Sequence, residues 1–336
     1  MLETIVPLKE LLHPLADWVH PVFTQVYSWG EFRNWVWLAG ALIAIDVIYR
    51  MANRSGSEPH SNPRWFYTHP SAILDYKFFV IQKLIVALFT VPLLLSALAL
   101  GKWGSTVLTA CFGSGPTWSA GAATLVIFGA IDLVLFDIGH YVSHYIQHKT
   151  PFFWEFHKIH HAAEVLTPVT SFRVHPVENI LDSLIQAPLQ GLALAVFFYL
   201  YVGQQSMMTI VWISAIFPLV YLIDNLRHSH ISISFGPKLE HIISSPAQHQ
   251  IHHSRAQQHL DTNFSRYFSF LDWIGGTLYV AKEGEALDFG LSEGPDPELA
   301  DVWNLYWIPM KRAFRLLRRP YASPTRTSGA TTNMNP

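Results

Sequence analysis

Fourteen of the 18 histidines in this 336-residue chain fall between His140 and His259, and nine of those form three tight groups. They run His140-x3-His144-x3-His148, then His157-x2-His160-His161, then His249-x2-His252-His253. Residues three or four apart share one face of a helix, so each group aims two or three imidazoles at one point. Neutral imidazole is a common metal ligand. A fold that satisfies this pattern brings helices from distant parts of the chain to a shared centre. A single helix that happened to be histidine-rich would not produce His-x2-His-His twice.

Composition sets the surroundings of that centre. Half of the chain is apolar and 14% is charged, against about 25% charged in a soluble domain, and the mean hydropathy is +0.23. This balance points to a membrane protein. The 12 Trp and 13 Tyr suit stretches at a headgroup interface. A net charge of −2 gives no sign of a nucleic-acid partner. The one cysteine, Cys111, excludes thiolate zinc ribbons and iron–sulfur clusters, and reads as a buried small apolar residue.

A bilayer is crossed by about 20 mostly apolar residues. The candidates are residues 35–49, 78–100, 120–139, 184–202 and 208–223, the first of them short and interrupted by Asp46. The expected fold is therefore an all-α integral membrane protein with about four to five transmembrane helices. Basic residues mark one side. Arg50, Arg54, Arg64 and Lys77 lie between the first two spans, Lys149, Lys158 and Arg173 follow the third, and Arg227 follows the fifth. The opposite loops hold little more than Lys102. The basic side is expected to be cytoplasmic, in a cell inner membrane or the endoplasmic reticulum. Because the histidine groups follow the third and fifth spans, they reach the same face.

The first 30 residues carry Glu3, Lys9, Glu10 and Asp17 and no unbroken apolar run, so no cleavable signal is expected. Residues 1–34 read as an interfacial segment, 35–119 as the first membrane helices, 120–285 as the catalytic region, and 286–336 as a basic amphipathic segment with a disordered tail. Thr150-Pro151, Ser245-Pro246 with Gln248, and His175-Pro176 with Glu178 read as helix starts.

Between His140 and His259 stand only six carboxylates, Glu155, Glu164, Glu178, Asp182, Asp224 and Glu240. Such a site is nitrogen-rich, unlike magnesium or calcium sites, and unlike soluble di-iron bundles built on Glu-x-x-His. This many imidazoles exceeds the roughly four to six positions around one ion, so two ions are the economical reading. The carboxylates would then orient rings by accepting the other N–H, a role that spacing gives to Glu164 and Asp224. Imidazole alone does not choose among zinc, iron and copper, but zinc has no redox chemistry.

The stretch His144-x3-His148-x2-Pro151-x2-Trp154-x2-His157-x2-His160-His161 resembles the core of the fatty acid hydroxylase/sterol desaturase superfamily. It continues through Phe172-Arg173-Val174-His175-Pro176-Val177-Glu178, His228-Ser229-His230 and His249-x2-His252-His253-Ser254. It closes on Asp261-x-Asn263-Phe264 and Asp272-Trp273-x-Gly275-Gly276-Thr277-Leu278-Tyr279, so that it spans about 132–279. In this register the metal ligands are His144, His148, His157, His160, His161, His228, His249, His252 and His253. His140 is an extra histidine one turn earlier, His230 stands where the family often has Asn, and His175 either caps a helix or ligates.

The resemblance implies an integral-membrane di-iron oxygenase with a cytosolic helical cap housing a histidine-rich dimetal site. It implies two iron ions, which zinc can replace on purification, together with O2 and a lipid substrate. Electrons would come from a separate electron-transfer protein, since no haem-binding domain is evident. Hydroxylation and desaturation are both open. Two other classes compete: a histidine-rich metal transporter, which would place ligands at the bilayer midplane, and a zinc-dependent membrane hydrolase. His241 and His259 read as surface histidines, and His13, His20, His60 and His69 have no ligand role.

Overall fold

The computed structural model describes residues 40, 43, 63–85, 97–201, 225–282 and 284–318. Apart from residues 40 and 43, the span expected at 35–49 lies outside these residues, as do the span at 208–223, the segment 1–34, Asp46, Asp224 and the tail beyond 318. Among the described residues the structure is helical, with no strands and two isolated bridges, Thr117–Tyr201 and Ser254–Phe289.

Nine α-helices matter here: α1 (Pro63–Thr68), α2 (Pro70–Ile85), α3 (Ala97–Phe112), α4 (Ala122–Lys149), α5 (Pro151–His161), α6 (Pro176–Leu200), α7 (Pro246–His252), α8 (Phe270–Gly275) and α9 (Asn304–Arg318). Two of them, α4 and α6, are long and apolar enough to cross a membrane. Both run beyond the apolar stretches that predict them. The helix of the third span continues ten residues past Gly139 to Lys149 and so carries His140, His144 and His148 itself. That of the fourth begins at Pro176, where His175 and Glu178 form a capping box. The ends of the span expected at 78–100 fall in two helices, α2 and α3, and residues between them are not described.

Helix α6 packs on α3 and α4 through small residues. A Cβ at Gly191 would stand 2.7 Å from Leu100 Cβ, one at Gly104 2.7 Å from Ala195 Cβ, and one at Gly139 2.9 Å from Gln186 Cγ. Close approach through small residues is how helices associate where lipid removes the hydrophobic driving force. Leu194, Phe197 and Phe198 fill the space beside them. Gly191→Leu is expected to part α3 from α6 at a cost of about 1–3 kcal/mol or more, read as a lower unfolding midpoint in detergent. Cys111, expected to be buried, is exposed on α3, on a helix whose buried positions are Gly101 and Ser105.

A second core lies around α5. Phe78 of α2, Ile159 of α5, Leu305 and Ile308 of α9, and Leu291 and Leu299 of the preceding loop form one buried cluster. The opposite face of α9 exposes Trp307, Phe314 and Leu317 beside basic residues, the arrangement of a helix lying in an interface. Arg173 and Asp75, both buried, pair at 3.0 Å, and Asp75 also accepts from Thr170 at 2.7 Å. This pair ties the strap before α6 to α2 and so fixes where α6 begins.

Candidate metal centre

Three helices and one turn deliver the histidines. The i, i+4 spacing puts His144 and His148 on one face of α4. Pro151 sets α5 off at once in a new direction, and its last turn holds His157, His160 and His161. Ser245 caps α7, bonding back to Gln248 in a capping box as its sequence predicts. Thr150 stands at the N-cap of α5 without a side-chain cap bond. His228 follows directly on the short helical turn at 225–227.

These elements bring the nine principal candidates into two groups. His144, His148, His157, His161 and His252 form one, and His160, His228, His249 and His253 form the other. Within each group the facing nitrogens all lie within 4.8 Å of one another. Each His-x2-His-His motif is thereby divided between the groups: α5 gives His157 and His161 to one and His160 to the other. Helix α7 with its C-cap residue likewise gives His252 to the first and His249 and His253 to the second.

The hydrogen-bond partners decide what the rings offer. Nδ1–H of His144 donates to the Phe264 carbonyl at 2.8 Å, that of His252 to the Thr262 carbonyl at 2.7 Å, and that of His157 to Glu178 at 2.6 Å. Asp261 lies 3.4 Å from Nδ1 of His148. An acceptor at Nδ1 fixes the proton there, leaving only a lone pair on Nε2. Yet Nε2 of His144 faces Nε2 of His157 at 3.1 Å, and Nε2 of His161 faces that of His157 at 3.2 Å. The lone pairs of His144 and His157 so placed repel one another, and a cation between them removes the repulsion. The donor set therefore fits a bound metal ion.

In the second group Nε2 of His228 stands 3.1 Å from those of His160 and His253 and 2.9 Å from that of His249. Here His249 differs. Arg227, which can only donate, places Nη2 2.8 Å from its Nδ1. Ligation by His249 thus requires that Nε2 give up its proton or that the guanidinium withdraw. Burial, reinforced by the neighbouring imidazoles, holds His160, His161 and His253 well below the usual histidine range. Burial, then Arg227, does the same to His249. Burial lowers His252 to about 3, against the Thr262 bond that raises it. At neutral pH these rings are uncharged, the form that binds metals.

The groups that orient the rings are mostly not those expected. Glu164, expected to serve His160, instead lies 3.8 Å from His69, because α5 ends at His161 and the chain turns away. Glu178 does that work for His157: its other oxygen accepts the His175 N–H at 2.7 Å, so one carboxylate locks the start of α6 to a ring. Thr262 is aimed by its neighbours, since Asp261 and Asn263 both take left-handed φ values, 59° and 55°. Asn263 offsets that cost by bonding to Gln248 O at 3.0 Å and Tyr279 O at 2.9 Å. Glu178→Gln is expected to weaken metal binding about 10- to 100-fold with the helix start intact, measured by competition with a chelator.

His140, His175 and His230 lie outside both groups. His175 caps α6, accepting from Val177 N and donating from Nε2 to Tyr306 O at 3.1 Å. His230 stacks on Phe66 at 4.8 Å. His140 sits one turn before His144 and lines the adjoining cavity. His259, expected at the surface, is fully buried and pairs with Glu285 at 2.9 Å, because the short turn at Gln257–His259 folds its ring against Tyr279.

Asp137 and Asp272 hold the loop beside the histidines, a placement that histidine spacing does not reveal. Asp137 on α4 accepts three backbone N–H groups, from Arg266 at 2.7 Å, Tyr267 at 3.0 Å and Phe268 at 2.6 Å. Asp272 accepts from Phe264 N at 2.7 Å and Ser265 N at 3.0 Å. The loop they hold supplies the Phe264 carbonyl to His144, and the Ser265 and Arg266 carbonyls to Arg227. A carboxylate within an apolar run, two turns before His144, was the available signal for Asp137.

Two cavities reach the histidines. One of about 410 Å³ touches His144 and His157 of the first group and His160, His228 and His249 of the second. Another, of about 190 Å³, reaches His148, His161, His252 and His253 beneath residues 290–293.

The family model for fatty acid hydroxylase matches residues 129–277. Ornithine lipid hydroxylase OlsE of Rhizobium tropici is 27% identical over 165 residues, 48% of this chain and 45% of that protein. Alkylglycerol monooxygenase of Homo sapiens is 24% identical over 180 residues, 51% of this chain and 36% of that protein. Delta(7)-sterol 5(6)-desaturase ERG3B of Gibberella zeae is 27% identical over 216 residues, 64% of this chain and 58% of that protein. The chain spans less than two thirds of the length of each of these relatives. No solved structure matches it. The matched region contains every histidine of both groups, and it is this part of the chain that is similar to the fatty acid hydroxylase/sterol desaturase superfamily.

Proposed function

We propose that this chain is a membrane-bound, O2-dependent lipid oxygenase that holds two iron ions, one in each histidine group. The observation that carries the reading is that His144, His157 and His252 turn Nε2 inward with their Nδ1 protons held elsewhere, an arrangement that calls for a cation, beside a second group of four converging rings. Iron, when bound, supplies the activation of O2 that attack on an alkyl C–H bond requires; zinc can take the same rings without that chemistry. Hydroxylation converts R–H, O2, two electrons and two protons to R–OH and water. Desaturation uses the same inputs, removes two hydrogens from adjacent carbons and yields two waters. Both need electrons from a separate electron-transfer protein.

What the protein itself does is hold the rings and shape the space beside them. Glu178, Phe264 and Thr262 set ring tautomers, and the neutral state imposed by burial keeps the rings available. The names of the three relatives refer to ornithine lipids, alkylglycerols and sterols, which supports a lipid substrate. With α4 crossing the bilayer, its histidine-bearing end emerges on the cytoplasmic side, as the basic flanks indicate.

The test joins two measurements. Protein reconstituted with ferrous iron under reducing conditions is expected to retain two ions per chain. Lipid extracts of expressing cells are expected to show a species heavier by 16 Da or lighter by 2 Da, in keeping with the two balances above. Protein that retains no iron, from cells whose lipids are unchanged, would falsify the reading. Activity with zinc alone and no O2 would favour a hydrolase.

A further inference from the structure

We propose that the larger cavity receives the polar headgroup region of an amphipathic lipid, recognised by Asn179, so that the oxidised carbon lies within a few bonds of the headgroup. The proposal rests on the oxygenase reading and narrows its substrate class. Its starting point is the wall of the 410 Å³ cavity, the larger of the two spaces that open onto histidines of both groups. Phe79, Phe172 and Val174 are its apolar members, whereas Gln82, Lys83, Gln147, Asn179, Asp182 and Arg266 are polar or charged. A bare acyl chain lodged against the Asn179 carboxamide would strip water from it and return no hydrogen bond, an unfavourable exchange. A hydroxyl, amide or charged headgroup replaces the water that it displaces.

Some of the wall is already committed. Gln82 donates to Val174 O at 2.6 Å, and Gln147 donates to Asp182 at 3.1 Å. Asn179 is not. It is half-buried on the first turn of α6, beside the Glu178 that holds His157, and its carboxamide makes no hydrogen bond among the described residues. A carboxamide offers both donor and acceptor. Placed in this wall, it reads a hydrogen-bonding group on the ligand while the tails remain in the bilayer.

Tandem mass spectrometry of lipids from cells expressing the full chain tests this directly. The added oxygen or the new double bond is expected on the headgroup fragment or on the carbons next to it. Localisation to the middle or far end of an acyl chain overturns the proposal while leaving the oxygenase reading intact. No altered lipid at all overturns both. Asn179→Leu is expected to lower product by about tenfold or more, as sites lose when a buried polar partner is removed, with two metal ions per chain retained. Metal-free wild-type protein is expected to carry the same headgroup class through purification in mild detergent, and Asn179→Leu to carry less. Equal product and equal lipid retention in the two proteins would count against Asn179. Because product position is read on the wild type, the first test holds even if the variant is unstable.

Discussion

Replacing His161 by alanine is expected to leave one metal ion per chain and no oxidised lipid, and replacing His253 is expected to do the same from the other group. The two residues stand on different helices, and their rings stack at 4.6 Å, yet each belongs to a separate set of converging nitrogens. If each set holds its own ion, each substitution removes one ligand from one ion. A metal ion contributes several kcal/mol of charge stabilisation in catalysis, which corresponds to about a thousand-fold or more in rate. Metal analysis of the purified variants, alongside lipid profiles of the same cells, separates the outcomes. Loss of both ions from either variant would indicate one shared site. Retention of both ions by both variants would show that these rings are not ligands.

A larger structural loss is expected from Asp137→Ala. Three backbone N–H groups bond to that one carboxylate, and removing it leaves them buried without partners. Each costs about 1–3 kcal/mol, so the change approaches the whole stability of a typical domain. The effect reaches the histidines through the loop it frees, which supplies Phe264 O to His144 and carries the carbonyls that hold Arg227. Both metal ions are therefore expected to be lost, although Asp137 touches no histidine of either group. Asp137→Asn is the informative control: it retains one acceptor and turns an NH2 toward the remaining donors, so a partial loss is expected. Unfolding midpoint and metal content measured on the same preparations check this. Normal metal content in Asp137→Ala would sink the argument that the loop positions the rings.

The helices that carry the histidines were legible because two periodicities agree. Spacings of three and four mark a helix face, and Ser245-Pro246-x-Gln248 and His175-Pro176-x-Glu178 announce where α7 and α6 begin. What spacing did not reveal is that α5 and α7 each divide their histidines between two groups. That depends on how the helices cross, a tertiary property. The orienting groups were harder still. Counting four residues along a helix pointed to Glu164, but α5 stops at His161, and Glu178, seventeen residues further on, folds back to His157. Phe264 and Thr262 act through backbone carbonyls, which every residue possesses and no sequence distinguishes. The left-handed backbone at Asp261 and Asn263 that aims Thr262 is a consequence of the Asn263 bonds to Gln248 and Tyr279.

The continuity of α4 carries a physiological consequence. The helix passes without interruption from its apolar stretch to His144 and His148, whereas His252 rides on α7. Where the hydrocarbon layer thins, a helix of fixed apolar length tilts to keep its sides covered. Tilting α4 would swing two rings of a five-ring cage, and the loop at 262–268, bonded both to α4 and to α7, would carry that movement to His252. On the membrane reading of α4, bilayer thickness would thereby reach this centre as a mechanical input from outside the protein.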